Sequence, residues 1–129
     1  MESHDLQALS ADLPLIQISK ATTEEEAMAA VRGFSQFDGR MVGVFHFAGL
    51  SPWERHPDQD ELLYVLDGEV EVTVLSEGGA SNCTVRAGSV CIIPKGLWHR
   101  QLPKPAVKLM FITGATDVSW DENPLAPRR

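Results

Sequence analysis

Between Glu69 and Leu75 the chain alternates strictly, with Val70, Val72 and Val74 on one side and Glu69, Glu71 and Thr73 on the other. A period of two is the mark of a strand with one buried face. Further short strand-like runs occur at 41–48, 61–66, 82–86, 90–93 and 107–113, and a brief one spans Pro14 to Ser19. Turn chemistry punctuates them at Asp38-Gly39, Asp67-Gly68, Gly78-Gly79 and Ala87-Gly88. Asp67-Gly68, set between two apolar runs, is the strongest short hairpin signal. Many short strands separated by such turns predict an all-β sandwich or barrel.

One segment breaks the pattern. Thr22 or Thr23 can cap a helix, with Glu25 or Glu26 three residues on. Ala27, Ala30, Val31 and Phe34 then recur at helical spacing, and Gly33 marks the end. The run Glu24-Glu25-Glu26 falls in the first turn, where the helix dipole favours negative charge, so it reads as structural. Residues 1–13 show no period and read as an arm. The expected organisation is one domain: an N-terminal arm with a short strand and helix over 1–40, a barrel over 41–113 and a tail over 114–129.

The 129 residues, 43% of them hydrophobic, suffice for one core without a staple. A formal net charge of −7 disfavours nucleic acid and anionic membranes as partners, since both call for a basic surface. No apolar stretch approaches the ~20 residues of a membrane span. No secretory leader is evident, and Cys83 and Cys91 are expected to be reduced thiols of a cytoplasmic protein.

The candidate chemistry lies in two segments. Trp53-Glu54-Arg55-His56-Pro57-Asp58-Gln59-Asp60-Glu61 crowds a histidine and several carboxylates ahead of an apolar strand. If 53–56 is extended, Glu54 and His56 face the same way, and Glu61 can face His56 from the returning strand. The second segment, Gly88 to His99, is a buried strand followed by a turn at Pro94 and Gly96. Tyr64 has the opposite parity from Glu61 and is expected outside any site. His46 reads as packed or exposed, and Cys91 as a buried inert thiol. Trp53 and Trp98 are candidates for a pocket mouth. No Ser-His-Asp order, phosphate loop or zinc-finger cysteine spacing is present.

Gly88, Pro94, Gly96 and His99 match the second motif of the cupin superfamily at every spacing, up to the closing asparagine, where Pro103 stands. His56, Glu61 and Gly68 match the first motif, and Glu54 stands where its first histidine belongs. The chain therefore resembles the cupins, small jelly-roll barrels, from about Met41 to Thr113. The resemblance implies His56, Glu61 and His99 as ligands of iron, manganese, zinc, nickel or copper, with Glu54 as a fourth ligand or as leaving a position open for water. Glu54 is also the catalytic candidate, since it or Glu61 could move a proton. Two imidazoles and a carboxylate suit a first-row metal. The expected function is a metal-dependent enzyme, oxygenase- or isomerase-like, acting on a small molecule. The alternative is a non-catalytic binding or sensing module, and a storage-like barrel with a vestigial site is a third reading. Analogy with cupins also implies a homodimer.

Overall fold

The computed structural model describes residues 1–125. In chain order they form α1 (Leu6–Ser10), β1 (Ile16–Gln17), α2 (Glu24–Ala30), β2 (Arg32–Phe37), β3 (Arg40–Ala48), β4 (Trp53–Arg55), β5 (Glu61–Ser76), β6 (Gly79–Arg86), β7 (Val90–Ile93), β8 (His99–Thr113) and β9 (Asp117–Ser119). The last four residues of the tail expected over 114–129 lie outside the described residues.

The long strands β5 and β8 carry the architecture. They pair antiparallel from Leu62 opposite Ile112 to Val74 opposite His99, and two bulges between those ends bend the ladder. Strand β3 pairs with the other side of β8, and β1 and β2 lie beyond it. Strands β6 and β7 take successive stretches of the free edge of β5. Short β4 joins β8 to β9. The result is the all-β jelly roll expected from the alternation. The inward valines of β5, Val70 and Val72, pack with Leu63, Val65, Ile93, Val107 and Leu109 in the core. No helix among the described residues is long and apolar enough to cross a membrane.

Several local expectations are corrected. Asp67-Gly68 makes no hairpin, because β5 runs through it. Gly68 has φ +78°, and its α-carbon faces the Ala106 carbonyl oxygen so closely that a Cβ would lie inside van der Waals contact. The dipeptide is thus a bulge that bends β5 against β8. The tight two-residue hairpin is at Asp38-Gly39, where both residues have positive φ and Phe37 pairs with Arg40. Gly78 lies in the β5–β6 turn and Gly88 in the β6–β7 turn, as expected.

The helix is capped by Thr23, whose hydroxyl accepts from the Glu26 amide at 3.1 Å while Glu26 accepts from the Thr23 amide at 3.2 Å. It stops at Ala30, short of Gly33, and Phe34 lies on β2. The exposed edge of β3 captures residues 32–37 as an antiparallel partner, which satisfies more backbone groups than one further helical turn. The arm holds a second helix, α1, capped by Asp5, and the tail adds β9 to the sheet. The strand expected over 107–113 is the second half of β8, which begins at His99.

The Gly68 bulge yields a stability prediction. Gly68→Ala should cost at least ~2 kcal/mol, from the left-handed backbone and the clash with Ala106 together. Urea unfolding measures it, and a loss under about half that value would mean the bulge relaxes freely.

Candidate metal centre

Three elements bring the ligand set together. His56 follows β4, whose Glu54 pairs with His99 at the head of β8. Glu61 opens β5 and pairs with Ile93 of β7. The expectation that Glu61 faces His56 across a strand pair is therefore corrected. Strand β4 pairs with β8 and β9, and the two side chains meet across the barrel interior. The turn between them is pinned from both sides. The Gly96 amide donates to the His56 carbonyl at 2.8 Å, and the Lys95 amide donates to the Asp60 carboxylate at 2.9 Å. Asp60 is thereby a turn-fixing residue outside the cluster.

His56 Nε2 lies 3.0 Å from Glu61 Oε2, and His99 Nε2 lies 3.5 Å from Glu61 Oε1. One ligating atom from each residue falls within 4.8 Å of the other two, and all three residues are buried. The rings of His56 and His99 are 5.1 Å apart and tilted by 39°. Their outer nitrogens fix the tautomer. Thr116 donates its hydroxyl proton to the Gly114 carbonyl, so it accepts from His56 Nδ1 at 3.0 Å, with the Ala115 carbonyl at 3.3 Å from the same nitrogen. His99 Nδ1 donates to the Leu97 carbonyl at 3.3 Å. With Nδ1 protonated in both rings, each Nε2 is aimed at Glu61 as a donor of electron pairs to a cation. His99 Nε2 and Glu61 Oε1 are buried without a hydrogen-bond partner. Orphaned polar atoms at this depth are costly, and a cation bound between them removes the cost.

The charges are coupled. Burial alone would push Glu61 up, but the hydrogen bond from His56 and the close approach of the His99 ring outweigh it and hold the carboxyl well below the usual range. Burial alone would push His56 down, but the hydrogen bond and charge of Glu61 prevail and its pKa ends above the ordinary 6.5. The cluster therefore keeps the His56 proton to higher pH than a free imidazole would. Glu54 behaves differently. Burial and the negative charge of Glu61 push it up to about 7. It lines the cavity beside the cluster, outside the three-residue set. Its neighbour Arg55 points away, bonded to Asp117 at 2.9 Å and stacked 4.6 Å over Trp98.

The cavity has a volume of about 310 Å³. Glu54 and Glu61 are part of its lining, and its walls are otherwise largely apolar, with Phe45, Phe47, Leu109, Phe111 and Trp120 among them. The helix α2 contributes Ala27 and Met28. Neither Trp53 nor Trp98 lines it, because Arg100 covers Trp53 at 4.4 Å and Arg55 covers Trp98. Tyr64 and His46 also lie outside it. Sequence reasoning missed Gln101, Ser51, Thr116 and Trp120. For Gln101 a signal existed, since it lies two residues after His99 and shares its strand face. Cys83 and Cys91 are free, and burial beside Cys83 pushes the Cys91 thiol up, which agrees with an unreactive thiol.

The cupin domain model matches residues 43–102, spanning both motif segments and all three residues of the cluster. The chain belongs to the cupin superfamily. This cupin is 31% identical over 86 residues to the uncharacterized protein YdbB of Bacillus subtilis (strain 168), covering 67% of this chain and 71% of that one. It is 32% identical over 72 residues to germin-like protein 1 of Brassica napus, covering 53% of this chain but only 35% of the plant protein. A cupin-2 domain protein from Shewanella frigidimarina NCIMB 400 superposes with TM-score 0.58 at 22% identity, over 74% of this cupin and 96% of that chain. Hydroquinone 1,2-dioxygenase PnpCD, solved with Cd2+ and 4-hydroxybenzonitrile, superposes with TM-score 0.56 at 20% identity, over 69% and 66% of the two chains. At these identities the structural likeness speaks for the shared barrel.

Proposed function

We propose that this cupin is a metal-dependent enzyme that holds one divalent first-row transition metal through His56, Glu61 and His99 and acts on a small molecule in the adjoining cavity. The observation that carries the reading is the paired tautomer. Both imidazoles spend Nδ1 on main-chain or hydroxyl oxygens and turn Nε2 toward one buried carboxylate. Surface histidines have no reason to be held this way, whereas metal-binding histidines almost always are. A metal bound there supplies Lewis-acid or redox chemistry.

The protein's own groups do the rest. Glu61 provides the negative charge and keeps the two imidazoles in register. The Thr116 and Ala115 oxygens hold the His56 ring. Glu54, with a pKa near neutrality and a place in the cavity wall, exchanges a proton with the bound molecule. Apolar walls exclude water from that exchange. The rival reading, a binding module without turnover, draws on the same apolar walls, and it predicts that a bound compound is recovered unchanged from aerobic, metal-replete protein. A homodimer is part of the proposal by family analogy, and sedimentation reads it.

Protein purified without a tag or chelator should carry close to one equivalent of transition metal by elemental analysis. Stripped protein should take it back with release of protons. Protein that is always empty and refuses added metal ends this reading.

A further inference from the structure

Gln101 is only 7% exposed and lines the cavity, yet its Oε1 is buried without a hydrogen-bond partner. Its main chain is fixed on both sides. The Gln101 amide donates to Ser51 Oγ at 2.9 Å, and the Ser51 amide donates to the Gln101 carbonyl at 3.0 Å. The backbone is thus held in place at this position, while the side-chain acceptor is left without a partner. A buried amide oxygen without a partner loses its solvation and gains nothing in return, so a built cavity that keeps one is shaped for something that supplies the partner.

The rest of the wall says what that is. Phe45 and Phe47 stack with ring centres 5.0 Å apart, and Phe111 and Trp120 face the same space. Flat aromatic walls favour a flat apolar body. Among the described residues, the only charged ones in the wall are Glu24, Glu54 and Glu61, and no lysine or arginine contributes to it. A carboxylate or phosphate ligand would meet negative charge with no side-chain cation to balance it. The volume, about 310 Å³, is roughly twice that of a cavity that takes benzene, which leaves room for a substituted single ring.

We infer that Gln101 is the specificity-determining residue of this cavity and that it selects a small, uncharged aromatic ligand through a hydroxyl group. A hydroxyl both donates and accepts, so it meets either end of the Gln101 amide. The inference rests on the proposed small-molecule reading of the site and adds the ligand class to it.

The test uses phenol and toluene, which match in shape and differ in the hydroxyl, with benzoate as the anionic control. Each is titrated by NMR into the metal-free full chain, as wild type, Gln101→Leu and Gln101→Met. Both variants are checked for folding by their thermal transitions, and metal binding is measured on the same samples. Wild type should bind phenol and not benzoate. Both variants should shift the ratio of phenol to toluene affinity toward toluene by roughly tenfold or more, the cost of an unmade buried hydrogen bond. Metal uptake should be unchanged. A ratio that stays within twofold in both variants overturns the role of Gln101. Benzoate binding more tightly than phenol, or no binding of either neutral ring at millimolar concentration, overturns the ligand class. Loss of metal binding by wild type bears instead on the proposed function, so the two failures are told apart.

Discussion

Glu61→Gln is expected to weaken binding of a divalent first-row metal by more than ~100-fold while the barrel stays folded. Glu61 is the hinge of the cluster, since one oxygen meets His56 at 3.0 Å and the other faces His99 at 3.5 Å. Glutamine has the same shape but no charge, and it places an N–H group against one of the imidazoles. Loss of a group that merely supports a ligand already costs 10- to 100-fold in affinity, so loss of the only charge in the set should cost more. Competition against a chromophoric chelator reads the affinity, and circular dichroism reads the fold. An affinity within tenfold of wild type would show that the metal, if bound at all, is held elsewhere.

The second large effect is a pH dependence of the metal-free protein. Glu61 has a depressed folded pKa, so its contribution to stability is present above the ordinary value of 4.5 and is lost as pH falls below it. His56 has a raised pKa, so its contribution is full below 6.5 and is lost as pH rises through the folded value. Glu54 works against the fold. Its pKa rises from 4.5 to about 7, so between those values the unfolded chain gives up a proton that the folded chain keeps. Stability falls throughout that window. Allowing for the partial access of solvent to Glu54, the loss is on the order of 2 kcal/mol. The metal-free protein should therefore be most stable near about pH 5 and weaken toward pH 8. Glu54→Gln should remove most of the decline. Its gain over wild type should be near zero at pH 4.5 and reach its full size at pH 8, and the difference between the two proteins cancels the surface groups they share. Thermal melts across that range decide it. A gain that does not vary with pH would mean that Glu54 ionises freely in the fold.

The two Asp-Gly dipeptides show what a local pattern can and cannot say. Both glycines adopt positive φ, at +78° in each case. At Asp38-Gly39 the residue before also turns left-handed, and a hairpin results. At Asp67-Gly68 the same preference is spent on a bulge, because the Ala106 carbonyl of a distant strand closes over Gly68. Turn chemistry records that the backbone must bend there, and only the partner strand decides whether the chain reverses. The helix shows the same limit. Thr23 and Glu26 fix its start within a few residues, but its end is set by the edge of β3, which nothing near Gly33 announces. The three cluster residues were legible because motif spacing constrains them locally. Gln101 was within reach of the same reading, since it shares the strand face of His99, whereas the place of Trp120 depends on what stands across the barrel.

His56 is held by oxygens from residues 59 and 60 positions further along the chain, just before β9. A ribosome that has just added His99 has delivered all three ligands, yet the His56 ring still lacks the groups that orient it. Its site is finished only after the Gly114–Thr116 turn has folded back onto β4. The orientation of the His56 ring thus belongs to the completed barrel and not to the growing chain. A copy ending at Thr113 would keep, of the oxygens around His56 Nδ1, only the Thr113 hydroxyl at 3.3 Å.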